Sequence, residues 1–512
     1  MSQIATRIAA DRSGDPRSSA SGEFRKRADR ILTGSEKPCR IAPTCLCEMH
    51  PRYDLVVIGS GPGGYAAATA ASRRGLRVAV IERAQLGGVC LNVGCIPTKA
   101  LIAVAQTMRR IHQASALGIR VEGAHLEYDR VLARNLRIIA RLREGLASLL
   151  RHHRIELISG EAIFDDPHTL RVTQDGRTMG VSAERFVIAT GASPSAGPWQ
   201  FDGDRVLSYR DLLALASLPQ SLLIIGGGVI GCEFASCFAS FGVPVTLVEQ
   251  QPALLFAEDQ EAVRLLVRSL QARGVTIHTG TTVTTLTASS DGVRATLSSA
   301  QTIHAQRCLI AIGQQPNSHG LGLESLGVQT DHGIRVDERL FTSQSHMAAI
   351  GDCVAGHGLA HWASAEGLLA VRNLCERTAT SLDPRLVPRC IYTDPELAHV
   401  GAVDSPTGGP VRVSRFSFAT LGKALCDEGP EGFVKLLVDE STDTVRGATI
   451  VGVQASSLIH LAVLAMQHGL TARQLAQSIT AHPTWPEAVS EAAAQVYGEA
   501  LYSAVSARLK VR

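Results

Sequence analysis

The 512-residue sequence has no apolar run approaching the roughly 18 residues that cross a bilayer, since stretches such as residues 461–466 are soon broken by polar side chains. No membrane-embedded protein is expected. The main body also lacks a charge surplus. The net charge of +3 arises in residues 1–50, with nine Lys/Arg against six Asp/Glu, leaving 41 of each sign in the other 462 residues. This balance speaks against a nucleic-acid partner, which needs a basic stripe to offset phosphate charge. No apolar leader core precedes the first folded segment, and twelve cysteines over such a length do not resemble a small secreted disulfide framework. A reducing, cytoplasmic setting is the expectation. The alternative is an organelle, if residues 1–50 are a transit peptide. That reading is weakened by Asp11, Asp15, Glu23, Asp29, Glu36 and Glu48. Those Arg- and Ser-rich residues instead read as a disordered extension upstream of a second possible start at Met49. Cys39, Cys45 and Cys47 beside His50 lack the paired C-x2-4-C spacing of a structural zinc site, so no metal is expected.

At 45% hydrophobic and 19% charged residues, the chain can fill several cores, and about 100 to 200 residues per domain suggests three or four domains. The run YDLVVIG at 53–59 is apolar, β-branched and followed at once by glycines, as expected of a buried parallel strand. Next come GSGPGG at 59–64, an Ala-rich helical stretch to residue 74, and a second strand ending in Glu82. These features form a dinucleotide-binding βαβ unit. Gly59 permits the tight turn, Gly61 lets the backbone approach a pyrophosphate, Gly64 lets helix and strand pack, and Glu82 can accept from ribose hydroxyls. The unit repeats with strand 221–225, Gly226, Gly228 and Gly231 in the turn, and a second strand ending in Glu249. Glu249 suits a ribose 2′-hydroxyl and repels a 2′-phosphate, while Gln250 and Gln251 supply no compensating arginine. NAD is thus preferred over NADP, a solvated strand end being the alternative role for Glu249.

Between the two units lies GGVCLNVGCIPTK at 87–99. In a regular helix, residues five apart are displaced by about 7.5 Å along the axis and point about 140° apart, beyond the roughly 7 Å Cα limit for a disulfide. Joining Cys90 to Cys95 therefore needs a distorted turn. Asn92 and Gly94 make one accessible, and Pro97 is tolerated in a first helical turn, so a helix can start just after Cys95 and lower a nearby thiol pKa. Cys232 and Cys237 have the same spacing without Gly or Pro and should diverge on a helix as small buried hydrophobes. The first pair reads as a redox disulfide, with ordinary burial beside a Gly-rich loop as the alternative.

The combination of two such units with GGVCLNVGCIPTKALI between them resembles the flavin-dependent pyridine nucleotide-disulfide oxidoreductases, and the LNVGCIPTK form is most similar to their dihydrolipoamide-oxidising branch. Supporting segments are IATG at 188–191, AIG at 311–313, AIGD at 349–352, VPRCIYTDPE at 387–396 and HPTWPE at 482–487. The resemblance runs from about residue 52 to the end. It implies FAD in the first unit and NAD in the second, Asp352 at the ribityl or pyrophosphate region, and Lys99 paired with Glu233 near the flavin. Thr190, Gly191, Gly313 and Ala360 complete the implied cofactor contacts. It further implies that His482 and Glu487 form an acid-base dyad reaching a partner subunit's disulfide, so that a homodimer is required. The prolines flanking His482 independently disfavour helical geometry there, and Glu487 is near enough in sequence to hold the ring if the chain turns.

The expected fold is α/β, with two Rossmann-like domains and a C-terminal α+β dimerisation domain. The boundaries are residues 50–195 for FAD, 196–312 for NAD, 313–385 for a segment completing the FAD side, and 386–512 for the interface. Residues 458–466 and 486–496 have helical apolar spacing. The expected reaction is oxidation of dihydrolipoamide, free or on the lipoyl domain of a 2-oxoacid dehydrogenase or glycine-cleavage complex, with reduction of NAD. Two alternatives stand beside it. One is an NAD(P)H-dependent reductase of another small disulfide, of glutathione- or mercuric-reductase type; the other is a non-catalytic nucleotide-sensing or scaffold subunit. Gln314 where the family commonly has Arg, a short loop after Gly401 and a trimmed stretch at 451–457 are departures from the resemblance.

Overall fold

A computed structural model describes residues 52–354, 356, 358–376, 380–403, 410–503 and 509–510. The expected tail with its cysteines, and most of the loop after Gly401, lie outside the described residues. The first sheet grows from the apolar strand Arg52–Ile58, whose Leu55, Val56 and Val57 are wholly buried because both sheet faces are covered. Parallel neighbours are Val78–Glu82 on one side and Arg177–Ile188 on the other, with Glu156–Ser159 beyond Val78–Glu82. The first half of Arg177–Ile188 continues into an antiparallel meander with Thr169–Gln174 and Glu161–Asp166. Its second half pairs with Met347–Ala349, so a strand from far along the chain completes this sheet.

The second sheet repeats the plan with parallel strands in the order Thr276–His278, Val245–Val248, Leu222–Ile225, Arg307–Ile310 and Val206–Leu207. It too has an antiparallel meander, formed by Val283–Ser289, Gly292–Leu297 and Thr302–Ala305. The chain crosses between the sheets twice, and the crossings pair as the antiparallel ribbon Ala192–Pro194 with Gln314–Pro316. Thr190 Oγ1 donates to the Asn317 carbonyl at 2.6 Å, and Asn317 Nδ2 donates to the Thr190 carbonyl at 2.9 Å. These reciprocal bonds staple the two crossings.

The last quarter is α+β. An antiparallel sheet in the order Arg389–Ile391, Glu396–Gly401, Val445–Gly452, Phe433–Asp439, Val411–Ser417 and Leu509–Lys510 packs against the helices Ala455–Gln467 and Glu487–Gln495. Both helices fall where the apolar spacing placed them. The trimmed stretch turns at Gln454, which takes a left-handed φ of 60° just before Ala455–Gln467. Charges tie this sheet to the start of helix Gln260–Ala272: Lys435 Nζ donates to the buried Asp259 Oδ2 at 2.6 Å and lies 2.9 Å from Glu261 Oε2. Among the described residues one helical stretch, Gly88–Leu117, is apolar and long enough by composition to cross a membrane. It breaks at Gly94 and buries Pro97, Ala100, Leu101, Ile102 and Ala105 in the protein's own core.

Candidate active site

The two glycine turns divide their labour in the same way. A Cβ built on Gly59 would stand 2.3 Å from the Ala189 carbonyl oxygen, and one on Gly226 2.4 Å from that of Ala311. Both residues adopt the positive φ that glycine tolerates, at +102° and +109°. Cβ atoms on Gly64 and Gly231 would lie 2.0 and 1.9 Å from the carbonyl oxygens of Gly59 and Gly226, so these positions set how closely helix and strand pack. Gly61 and Gly228 differ: a Cβ there meets nothing within 4 Å and projects into free space at the N-termini of helices Pro62–Ser72 and Val229–Ser240. These open cradles, with backbone N–H groups at a positive helix end, suit a pyrophosphate.

The acids close both turns. Ser60 N–H and Oγ–H donate to Glu82 Oε2 at 2.9 and 2.6 Å, and Gly227 N–H donates to Glu249 Oε2 at 2.6 Å. Each carboxylate thus shapes its glycine loop as well as marking where a ribose would lie. One cavity of about 1800 Å³ runs past both turns and is lined by Glu82, Thr190, Gly191, Glu249, Gly313, Asp352 and Ala360. Burial pushes the Asp352 carboxyl up from its ordinary range. These residues and openings fit two dinucleotides.

The cysteine pair lines the same cavity. Cys90 lies in the short helix Gly88–Val93, while Cys95 is the first residue of Cys95–Gln113. Between them Gly94, at φ −137° and ψ −107°, breaks the helical path and provides the expected distorted turn. Both are free cysteines in this structure. Hydrogen bonding to Cys90, assisted by the Lys99 charge, holds the Cys95 thiol down at about 7 against the opposing effect of burial. Cys90 is raised because it keeps the shared proton and is itself buried. Lys99 Nζ bonds Glu233 Oε1 and Oε2 at 3.0 and 2.8 Å and sits 4.6 Å from the centre of the Tyr392 ring. Glu233 Oε1 also accepts from Tyr392 N–H at 3.0 Å, so one carboxylate joins the redox helix, the second dinucleotide unit and the terminal domain. Cys232 and Cys237 behave as the contrasting pair: both are buried on Val229–Ser240, and burial pushes both thiols up.

His482 Nδ1 lies 2.7 Å from Glu487 Oε1, and Glu487 Oε2 accepts from Thr484 N–H at 2.7 Å. Because a carboxylate only accepts here, Nδ1 carries the proton and Nε2 is left for other chemistry. The His482 side chain is 63% exposed, and neither His482 nor Glu487 is among the residues lining the cysteine cavity. A single copy of the chain therefore does not bring the dyad to its own cysteine pair.

Known proteins match the chain on both parts of this arrangement. The family model described as pyridine nucleotide-disulphide oxidoreductase matches residues 53–367, and the corresponding dimerisation-domain model matches residues 387–493. The chain belongs to the pyridine nucleotide-disulphide oxidoreductases. Similar proteins include dihydrolipoyl dehydrogenases of Chlorobaculum tepidum, 38% identical over 86% of this chain and 96% of the relative, and of Bacillus subtilis, 37% identical over 89% and 100%. Among solved structures, LpdA of Mycobacterium tuberculosis aligns with a TM-score of 0.82 at 30% identity, covering 87% of this chain and 99% of the other. The HOCl-induced flavoprotein disulfide reductase RclA of Escherichia coli, solved as a Cu(II) complex, aligns at 0.79 and 28%, covering 86% and 99%. As a pyridine nucleotide-disulphide oxidoreductase the chain is an enzyme, and FAD and NAD(H) are its cofactors.

Sequence reasoning missed several residues around the site. Ser60 gave no signal beyond its place inside the first glycine turn. Asn317, Tyr392 and Arg143 act across more than 50 residues of sequence, and only packing brings them to Thr190, Glu233 and Asn92. Cys390 lines the cavity as well, with its thiol pushed up to about 11 by burial.

Proposed function

We propose that this enzyme oxidises the dithiol of a dihydrolipoyl group to its disulfide and reduces NAD, using Cys90 and Cys95 as the exchanging pair. The observation that carries the reading is the placement of that pair: Cys90 and Cys95 flank a broken turn and line one cavity with both glycine cradles, beside Lys99 held by Glu233. The choice of a lipoyl substrate rests on relatives named dihydrolipoyl dehydrogenase, and the choice of NAD on Glu249.

In this mechanism His482 Nε2 takes a proton from the substrate dithiol, its ring held by Glu487. The substrate thiolate attacks Cys90 Sγ of the oxidised pair, the Cys90–Cys95 bond breaks, and Cys95 leaves as the thiolate that its low pKa favours. The second substrate thiol then attacks the substrate sulfur of the mixed disulfide. Cys90 departs as a thiol, substrate disulfide is released, and both electrons rest on the Cys90/Cys95 dithiol. The cradles at Gly61 and Gly228 would hold FAD and NAD, which when bound would supply the two-electron and hydride acceptors for this electron pair. Lys99 keeps the Cys95 side positive, Glu233 fixes Lys99, and the two cradles orient the dinucleotides. The dyad works on the cysteine pair of a second copy. That requirement is supported by exposed Leu464, Ile479 and Leu501 in the terminal domain and by the match to a dimerisation domain.

The test is anaerobic NAD reduction by dihydrolipoamide with FAD-loaded protein. Rapid NADH formation that is lost in Cys95→Ser and His482→Ala is the expected result. The similarity to RclA favours a second reading, an NAD(P)H-dependent reductase of another disulfide. Absence of lipoamide turnover beside NAD(P)H-dependent reduction of glutathione disulfide or a related compound would replace the first reading with the second.

A further inference from the structure

Asn92, midway between the two cysteines, holds the redox turn from both sides. Its Nδ2 donates to the carbonyls of Gly88 at 2.8 Å and Leu86 at 3.0 Å, with Gln85 farther off at 3.3 Å. Its Oδ1 accepts from Nη2 and Nε of Arg143 at 2.7 and 3.1 Å. The amide can face only this way, because guanidinium groups only donate and backbone carbonyls only accept. Arg143 comes from Tyr128–His152, a separate 25-residue helix that also braces Cys95–Gln113, where Asn135 Nδ2 donates to the Pro97 carbonyl at 3.1 Å. The Arg143 side chain is half-buried and forms no ion pair among the described residues. Its two directed donors therefore serve Asn92 rather than a carboxylate.

We infer that Arg143 is a positioning residue for the Cys90/Cys95 pair: by forking Asn92 it holds the broken helical turn in the conformation that keeps the two sulfurs in reach, and so sets how readily the disulfide forms. This inference rests on the proposed exchange at those cysteines. Two thiols joined by a looser turn have a lower effective concentration toward each other, so disulfide formation becomes less favourable while the chemistry of each sulfur is unchanged. A charge-assisted fork is stronger than a neutral hydrogen bond, and the looser turn left by its loss is expected to lower that effective concentration about tenfold.

The experiment equilibrates FAD-loaded protein anaerobically with mixtures of dihydrolipoamide and lipoamide, followed by alkylation of free thiols and mass spectrometry of the peptide containing both cysteines. The exchange balances as one protein disulfide plus one dihydrolipoamide giving one protein dithiol plus one lipoamide. Arg143→Met is expected to shift the equilibrium about tenfold toward the dithiol, which is about 30 mV to more positive potential. Arg143→Lys, which donates from a single nitrogen, should fall between Met and the parent. Arg141→Met, exposed on the same helix with no hydrogen bond to the turn, controls for helix charge and should match the parent. Parent-like equilibrium in both Arg143 variants would overturn the inference, as would an equal shift in Arg141→Met. If the parent protein itself forms no reversible Cys90–Cys95 disulfide, the proposed function fails instead.

Discussion

Adding one methyl group in each half of the second glycine turn separates folding from binding. Gly228 has φ −76° and ψ −170°, an extended backbone open to any residue, and its Cβ would meet no protein atom within 4 Å. Gly228→Ala should therefore change stability by no more than about 1 kcal/mol, a poorer helix cap being offset by a less mobile unfolded chain. The methyl would instead occupy the space through which a pyrophosphate approaches the helix N-terminus. Displacing the phosphate from one charge-assisted backbone bond costs about 1.5 to 3 kcal/mol, or roughly ten- to a hundredfold in affinity for NADH. Gly231→Ala has the opposite profile, because its Cβ would stand 1.9 Å from the Gly226 carbonyl oxygen and neither backbone can yield without parting helix from strand. A loss of about 3 kcal/mol is expected from that overpacking. The assay is NADH titration by fluorescence beside denaturant unfolding of the FAD-loaded protein. Unchanged NADH affinity in Gly228→Ala would refute the cradle, and full stability in Gly231→Ala would refute the packing argument.

Lys99→Met removes the cation that helps hold Cys95 near 7 and leaves Glu233 unpaired beside it; both effects raise the thiol. The pH of half-maximal alkylation at Cys95 in reduced protein should move upward, and an unmoved profile would remove Lys99 from the explanation. Burial holds His399 neutral down to about 4, while Thr449 and the Gly401 carbonyl bond its ring. Below about pH 6.5 the unfolded chain binds a proton that the folded one refuses, so this group lowers stability progressively from there to pH 4, by on the order of 3 kcal/mol. His399→Gln should flatten that part of the stability profile, measured by urea unfolding across the range. Lys435→Met strands Asp259, which is buried and loses its 2.6 Å partner, and a destabilisation of about 3 to 5 kcal/mol should appear as a lower urea midpoint.

Much of the site was readable along the chain because its rules are local. A tight turn, an open cradle and a close helix-strand contact each demand glycine within six residues, and a carboxylate at the next strand end follows from the βαβ path itself. The broken turn between Cys90 and Cys95 was likewise legible from Asn92, Gly94 and Pro97, and His482 with Glu487 from a five-residue separation. Strand edges slipped by one or two residues, as at Arg52–Ile58 and Leu222–Ile225, because fraying depends on neighbours.

Contacts among distant segments had no such local signature. Glu233 meets Lys99 across 134 residues and the Tyr392 N–H across 159, Arg143 meets Asn92 across 51, and Met347–Ala349 completes a sheet begun at Arg52. Hydrophobic burial drives the packing of those elements without regard to sequence separation, and the directed polar bonds form only where packing has already placed a donor against an acceptor. The amino-acid order by itself determined the two glycine turns and the broken turn between Cys90 and Cys95. The tertiary structure decided which charge stands beside Cys95, what holds the turn, and that His482 and Glu487 do not line the cavity of their own chain.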